Sequence, residues 1–279
     1  MNMPAPQIFD SLTNGIFVKQ KFHKWDCIKC HVEQKSFNVV DSARMGNARM
    51  ANSIVATEKS LKCERACIKD GLMNFDLFVS SGATAPPVLK YTKETFSGCF
   101  QVPVHKMLVT YVENGANQYL GKIEAVHSHG ARCCVRGQKC CSRIVAIRIA
   151  DEHDQTVFWI KTNLCKAACW QQCFTQFCCR CDSCSVQEFE IYSGNMETLL
   201  GHITKHGKKC YCVEDVFPGP TGLVSSFIPQ SRQQKSLLLG AMMFINYVYY
   251  TYMDDQRTCY KAIPVRLLVH IALRLLLGR

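Results

Sequence analysis

Apolar and polar positions alternate with period two in four long stretches of the chain: NFDLFVSSGATAPPVLKYTKE (74–94), KMLVTYVENGANQYLGKIEAV (106–126), SRIVAIRIADEHDQTVFWIKT (142–162) and VQEFEIYSGNMETLLGHITKHG (186–207). Period two sends successive side chains to opposite faces of a strand. Each stretch is broken at its middle by Gly, Asn, Asp or Ser, so each predicts a β-hairpin. The stretches start 32 to 44 residues apart, and Gly121 and Gly201 hold the same place in the second and fourth. Self-similarity of that kind predicts a repeated sheet architecture. Three shorter runs, IFVKQKF (16–22), SFNVV (36–40) and NSIVATE (52–58), add strands before the first hairpin. At least ten strands ahead of the apolar segment predict a mainly β protein, closed as an antiparallel barrel that has no free edges and encloses something.

The pattern changes at KSLLLGAMMFINYVYYTY (235–252). Residues 237–253 carry no charge, which predicts an apolar helix of 17 residues. A bilayer span needs about 20 mostly apolar residues. This run contains Asn246 and is stopped by Asp254 and Asp255. It reads either as a short membrane segment, built on Leu237, Leu238, Leu239, Gly240, Phe244, Ile245, Asn246 and Tyr247, or as the filling of the barrel. Its length and Asn246 favour the barrel. Beyond Pro264, VRLLVHIALRLLLGR (265–279) places Arg266, His270 and Arg274 at i, i+4 and i+8. That is one polar stripe on an apolar helix, a pattern suited to a membrane interface, to a second membrane helix or to an extension of the core. The chain thus divides into a short lead (1–15), a barrel domain with its helix (16–253) and a basic amphipathic tail (254–279).

Composition sharpens this picture. The 279 residues are 48% hydrophobic, enough for a sizeable core, and carry a formal net charge of +11. Such a charge fits an anionic partner, lipid surface or nucleic acid, or simply a solvated surface. The start, MNMPAPQIFDSL, has neither a basic region nor a long apolar run, so a cytosolic beginning with reduced thiols is expected. The 19 cysteines are then metal ligands, acylation sites or small buried hydrophobes rather than a disulfide framework.

Several segments together resemble the phospholipid scramblase family. PQIFDSLTNGIFVKQKF (6–22) is similar to its entry segment. SIVATEKSLKCERACIKDGLMNFDLFVSSG (53–82) is similar to its early strand, cysteine turn and strand. FEIYSGNMETLLGHITKHG (189–207), followed by KSLLLGAMMFINYVYY (235–250), resembles its last hairpin and apolar helix. The likeness runs from about residue 6 to 252, and the order of the segments is its most specific part. It implies a tubby-like fold, a closed barrel of twelve strands around one apolar helix, in which the helix has also been regarded as a membrane anchor. It implies movement of phospholipids between leaflets without ATP, at the cytoplasmic face of the plasma membrane, with a possible nuclear pool. The alternative is a membrane-anchored barrel that binds lipid and partners without transport.

Site by site, the resemblance is uneven. The family's acid-rich calcium loop corresponds to EDVFPGPTGLVSSFIPQSR (214–232). Only Glu214 and Asp215 are carboxylates there, and Thr221, Ser225 and Ser226 add neutral oxygens, so calcium binding is expected to be weak or absent. Of the family's palmitoylated cysteine cluster only Cys99 remains, although CKAACWQQCFTQFCCRCDSC (165–184) offers further thiols beside Trp170, Phe174 and Phe177. Two acyl signals are needed for stable anchoring. Cys27 with Cys30, and Cys181 with Cys184, form CxxC pairs, and Cys178, Cys179, Cys210 and Cys212 are further candidates, but zinc is not expected from so loose a spacing. The basic segment with Lys205, His206, Lys208 and Lys209 resembles a nuclear import signal and equally an anionic-lipid patch or a solvated hairpin end. His105, His127, His129 and His153 are scattered, and no nucleophile, phosphate-loop or paired-histidine motif emerges. The pattern fits a lipid mover or binder rather than an enzyme, and nucleic acid is a poor partner for it.

Overall fold

A computed structural model describes residues 7–21, 36–44, 54–60, 74–96, 104–113, 116–127, 144–162, 188–206 and 222–250. Twelve strands form one closed antiparallel barrel: β1 Ile16–Lys21, β2 Ser36–Asp41, β3 Ile54–Lys59, β4 Phe75–Ser80, β5 Pro87–Phe96, β6 Val104–Glu113, β7 Ala116–His127, β8 Ile144–Asp151, β9 Thr156–Thr162, β10 Glu188–Ser193, β11 Leu199–His206 and β12 Gly222–Ser225. Each strand pairs with its sequence neighbour. β1 and β12 close the ring through Ile16 opposite Ser225 and Val18 opposite Leu223. This is the mainly β, closed-barrel architecture expected from the alternation, and it is compatible with a tubby-like barrel.

The alternation decides which side chains go in. Phe75, Leu77 and Val79 of β4, Leu89 and Tyr91 of β5, and Met107 and Val109 of β6 all enter one continuous core. Their neighbours Asp76, Lys90 and Thr92 lie outside, where Lys90 and Thr92 both reach the Asp76 carboxylate. The four repeated hairpins share one irregularity. In each, the second strand carries a single extra residue close to the turn: Val88, Leu120, Val157 and Leu200 fall between paired neighbours. A bulge bends its strand and increases local twist, which curls a sheet towards closure. At Gly121, beside one of these bulges, φ is +151° and an added Cβ would stand 2.2 Å from the Ala150 carbonyl oxygen. Only glycine fits there.

The apolar helix fills the barrel. Helix α1, Arg232–Ile245, continues into a π-helical turn, Asn246–Tyr250. Every residue from Ser236 to Ile245 is buried, and Leu237, Leu238, Leu239, Met242, Met243, Phe244 and Ile245 are 0% exposed. An isolated helix apolar on all sides needs apolar surroundings on all sides, and the barrel wall supplies them. Each of these large side chains gains about 1.5–3 kcal/mol from leaving water.

Two boundaries differ from the sequence expectation. The helix begins at Arg232, not at 237, because its polar first turn binds the barrel end and is invisible to an apolar count. The stretch expected to be a loop bearing a calcium site contains strand β12, Gly222–Ser225, because β1 and β11 leave two backbone edges for it to pair.

Candidate functional site: a polar cluster at one rim of the barrel

Antiparallel order gives the barrel two unlike rims. At the first lie the turns of all four hairpins (81–86, 114–115, 152–155 and 194–198), the 3₁₀ turn Gln7–Ser11 and the start of α1. Six other connections, residues 22–35, 61–73, 97–103, 128–143, 163–187 and 207–221, leave and re-enter the strands at the second rim. The helix runs from the first rim to the second.

The first rim is pinned by hydrogen bonds. Arg232 grips Asp10 with Nε to Oδ1 at 2.7 Å and Nη2 to Oδ2 at 2.5 Å. Lys235 Nζ donates to the carbonyls of Phe9 and Leu12 at 3.2 and 2.7 Å. Gln233 donates to Glu152 and to the Leu120 carbonyl. Asp41 accepts the backbone N–H groups of Thr13 at 2.6 Å and of Asn14 and Ala43 at 2.9 Å. Burial pushes the Asp41 carboxyl up, but those hydrogen bonds outweigh it and hold the pKa at about 2.

Near the second rim the barrel interior turns polar. Glu58, Lys93 and Tyr247 are each 0% exposed, and His105 is buried beside them. The Tyr247 hydroxyl donates to Glu58 Oε2 at 2.6 Å. Lys93 Nζ donates to Thr95 Oγ1 at 2.7 Å and stands 5.6 Å from the centre of the Phe75 ring. Thr95 Oγ1 is 3.4 Å from His105 Nδ1. Tyr247 leans on Phe75 at 4.2 Å and meets Phe37 edge-on at 5.8 Å between ring centres. A charged group in a core is costly unless paired and hydrogen-bonded. Here the Glu58 carboxylate takes the hydroxyl of Tyr247 at the helix end, and the Lys93 ammonium lies over Phe75, the ring against which Tyr247 leans. The arrangement fastens the end of the apolar segment to the wall. Near the start of the helix the Tyr91 hydroxyl does the same, donating to the Ser236 carbonyl at 2.9 Å, and burial pushes its pKa up.

Sequence reasoning missed this cluster, yet the signal was present. Ile54, Ala56, Glu58 and Leu89, Tyr91, Lys93 are unbroken inward alternations that end on a charge, and His105 begins the inward row His105, Met107, Val109. Of the residues singled out from sequence, Leu237 to Ile245 and Tyr247 lie in the barrel core, and Asn246 is half-buried at the helix end. Lys205 and His206 lie on β11 at the second rim, where their backbones pair with Leu223 and Gly222. Cys99, Lys208, Lys209, Glu214 and Asp215 lie outside the described residues, as do all the cysteines discussed for acylation or zinc.

The calcium expectation meets a poor donor set. In the described part of its stretch, Ser225 Oγ donates to the Phe227 carbonyl and accepts the Phe227 N–H. Ser226 Oγ donates to the His202 carbonyl and accepts the His202 N–H. These hydroxyls serve the turn into α1, and no carboxylate accompanies them among the described residues 222–232, a poor donor set for calcium. Among the described residues no helix is long and apolar enough to cross a membrane. Compared with protein-family models, curated proteins and solved structures, the chain matches none.

Proposed function

We propose that this protein acts on membrane phospholipids as a scramblase-type barrel, moving lipid between leaflets without ATP at the cytoplasmic face of an anionic membrane. One observation carries the reading: a closed twelve-stranded barrel is filled by the apolar helix, in the chain order that the resemblance implies. The entry segment becomes the 3₁₀ turn and β1, the early strands become β3 and β4, and the last hairpin is β10–β11. In this reading acyl chains on Cys99 and neighbouring thiols, with the basic segment around Lys205, Lys208 and Lys209, hold the barrel at the surface.

The buried helix favours a second reading for the resting protein. With Leu237 to Ile245 enclosed, the described chain offers no helical span, and a headgroup gains no path through it. The resting form is then a lipid- and partner-binding barrel at the membrane surface, and transport requires the helix to leave the wall.

The test is lipid exchange in liposomes reconstituted with the full chain. Fluorescent lipid is placed in both leaflets and bleached from outside, with and without calcium. Bleaching well past half, unaffected by calcium, is the scramblase result. Bleaching that stops at half, with folded and membrane-bound protein, leaves the binding barrel.

A further inference from the structure

The two ends of the barrel helix are fastened by different chemistry. Carboxylates that keep their charge far into acid serve its start. The Arg232 guanidinium beside Asp10 holds that carboxyl below the ordinary aspartate range, and Asp41, which ties down the chain just before β1, has a pKa of about 2. The far end is reached through a histidine. His105 Nδ1 on β6 is 3.4 Å from Thr95 Oγ1, which accepts a hydrogen bond from Lys93 Nζ at 2.7 Å. Lys93 lies over the Phe75 ring at 5.6 Å, Phe75 meets Tyr247 at 4.2 Å, and Tyr247 holds Glu58 at 2.6 Å. An ammonium can only donate. The Thr95 hydroxyl therefore accepts from Lys93 and has its own proton left for an unprotonated His105 Nδ1.

We infer that His105 is an acid sensor whose protonation releases the C-terminal end of the barrel helix while the start of the helix stays fastened. This device goes beyond the membrane reading and does not depend on it. A proton on His105 Nδ1 turns an acceptor into a donor and sets an imidazolium across one hydroxyl from the Lys93 ammonium. Like charges in a core repel far more strongly than in water. Glu58, the carboxylate of the cluster, stands on β3, beyond β5 and β4, and is engaged by the Tyr247 hydroxyl. The neighbouring walls add Phe37 of β2, Phe75 of β4 and Ala125 of β7, none of which carries charge. His105 keeps 8% of its surface open and follows the exposed Val104, so a proton reaches it from the second rim. Lys93 then gives way, and with it the packing of the ring that supports Tyr247. An ordinary imidazole titrates near pH 6.5 and an ordinary glutamate near 4.3, so His105 is the first of the cluster to respond as the pH falls. The folded form excludes the proton. The fastening is thus complete above about pH 6.5 and is lost progressively below it.

The experiment is amide hydrogen exchange of the full chain, read by mass spectrometry at about pH 7.5 and about pH 5 and corrected for intrinsic exchange rates. Peptides over 244–250 report the end of the helix, and peptides over 9–18 and 232–240 report its start. The inference expects protection over 244–250 to fall about ten-fold or more at the lower pH and to return when the pH is restored. The start of the helix and strands β5 to β7 keep their protection. His105→Gln stays polar but cannot take the proton, so its 244–250 segment is expected to be equally protected at both pH values. Equal protection at both pH values in the wild type overturns the inference, and this comparison decides even where the variant fails to fold. A loss spread evenly over the barrel is global acid unfolding and overturns it as well. A loss in His105→Gln as large as in the wild type assigns the proton to another group and removes His105 as the sensor.

Discussion

At the scale of single residues, two hydrogen-bonded side chains decide how the helix and the chain start are held. The Tyr247 hydroxyl ties the π-helical turn to the Glu58 carboxylate, at 2.6 Å in a fully buried site. Tyr247→Phe keeps the ring against Phe75 and Phe37 and removes one donor from a buried charge. The expected cost is about 1–3 kcal/mol, read as a lower midpoint in urea unfolding with an unchanged slope. A neutral result would show that the phenol adds nothing to the fastening. Asp41 makes a prediction in pH. Its folded pKa of about 2 lies below the ordinary aspartate value of 3.8, so its stabilisation is complete above 3.8 and is lost as the pH falls towards 2. Asp41→Asn cannot accept three backbone N–H groups as an anion. The variant is therefore less stable at neutral pH, and its deficit against the wild type shrinks between about pH 4 and pH 2. A deficit that stays constant across that range would assign the loss to packing and not to charge.

At the scale of elements, the helix and the wall are close-packed, and Gly240 is a point of tight contact between them. A Cβ added there would meet Ile123 Cδ1 and Tyr91 Cε1, both at 2.8 Å. Gly240→Val forces the helix off the wall and also disturbs the Tyr91–Ser236 hydrogen bond. Overpacking of this kind costs about 1–3 kcal/mol, measurable by thermal or urea unfolding, although valine is a better helix former than glycine. A gain in stability would mean that the helix is not enclosed as described. The hairpins could be read from sequence because each brings its own evidence: alternation on both sides of a polar turn, all within about 20 residues. Strand β12 could not, since GLVS is four residues long and is set between prolines in a stretch without alternation of useful length. It is a strand because residues some 200 positions earlier in β1 offer it an edge. The first turn of α1 was hidden for a similar reason. Arg232, Gln233 and Lys235 look like loop residues until Asp10, Glu152 and the carbonyls of Phe9 and Leu12 are placed beside them. The polar cluster lies between these cases. Its inward positions follow from alternation, but that Glu58 meets Tyr247 beside Phe75, over which Lys93 lies, follows only from the closed ring.

At the scale of the whole molecule, closure makes the two ends of the chain depend on each other. β1 is hydrogen-bonded on one side to β2 and on the other to β12, and the 3₁₀ turn before it receives Arg232 and Lys235 from the start of the helix. Removing residues 1–21 therefore does more than delete one strand. It opens two backbone edges, on β2 and on β12, and uncovers the side of α1 against which Phe9, Leu12, Ile16 and Val18 pack in the common core. An opened barrel has lost the device that protects its edges, and an all-apolar helix cannot rest at a solvent boundary. The truncated chain is expected to lose its single cooperative unfolding transition, to bind a hydrophobic dye such as ANS and to aggregate on concentration. Unfolding traces by tryptophan fluorescence and far-ultraviolet circular dichroism, recorded for the full and the shortened chain, make the comparison. A shortened chain that still unfolds in one sharp transition and leaves the dye dark would show that eleven strands suffice to enclose the helix. The pairing of β1 with β12 would then be an ornament of the fold instead of its closure.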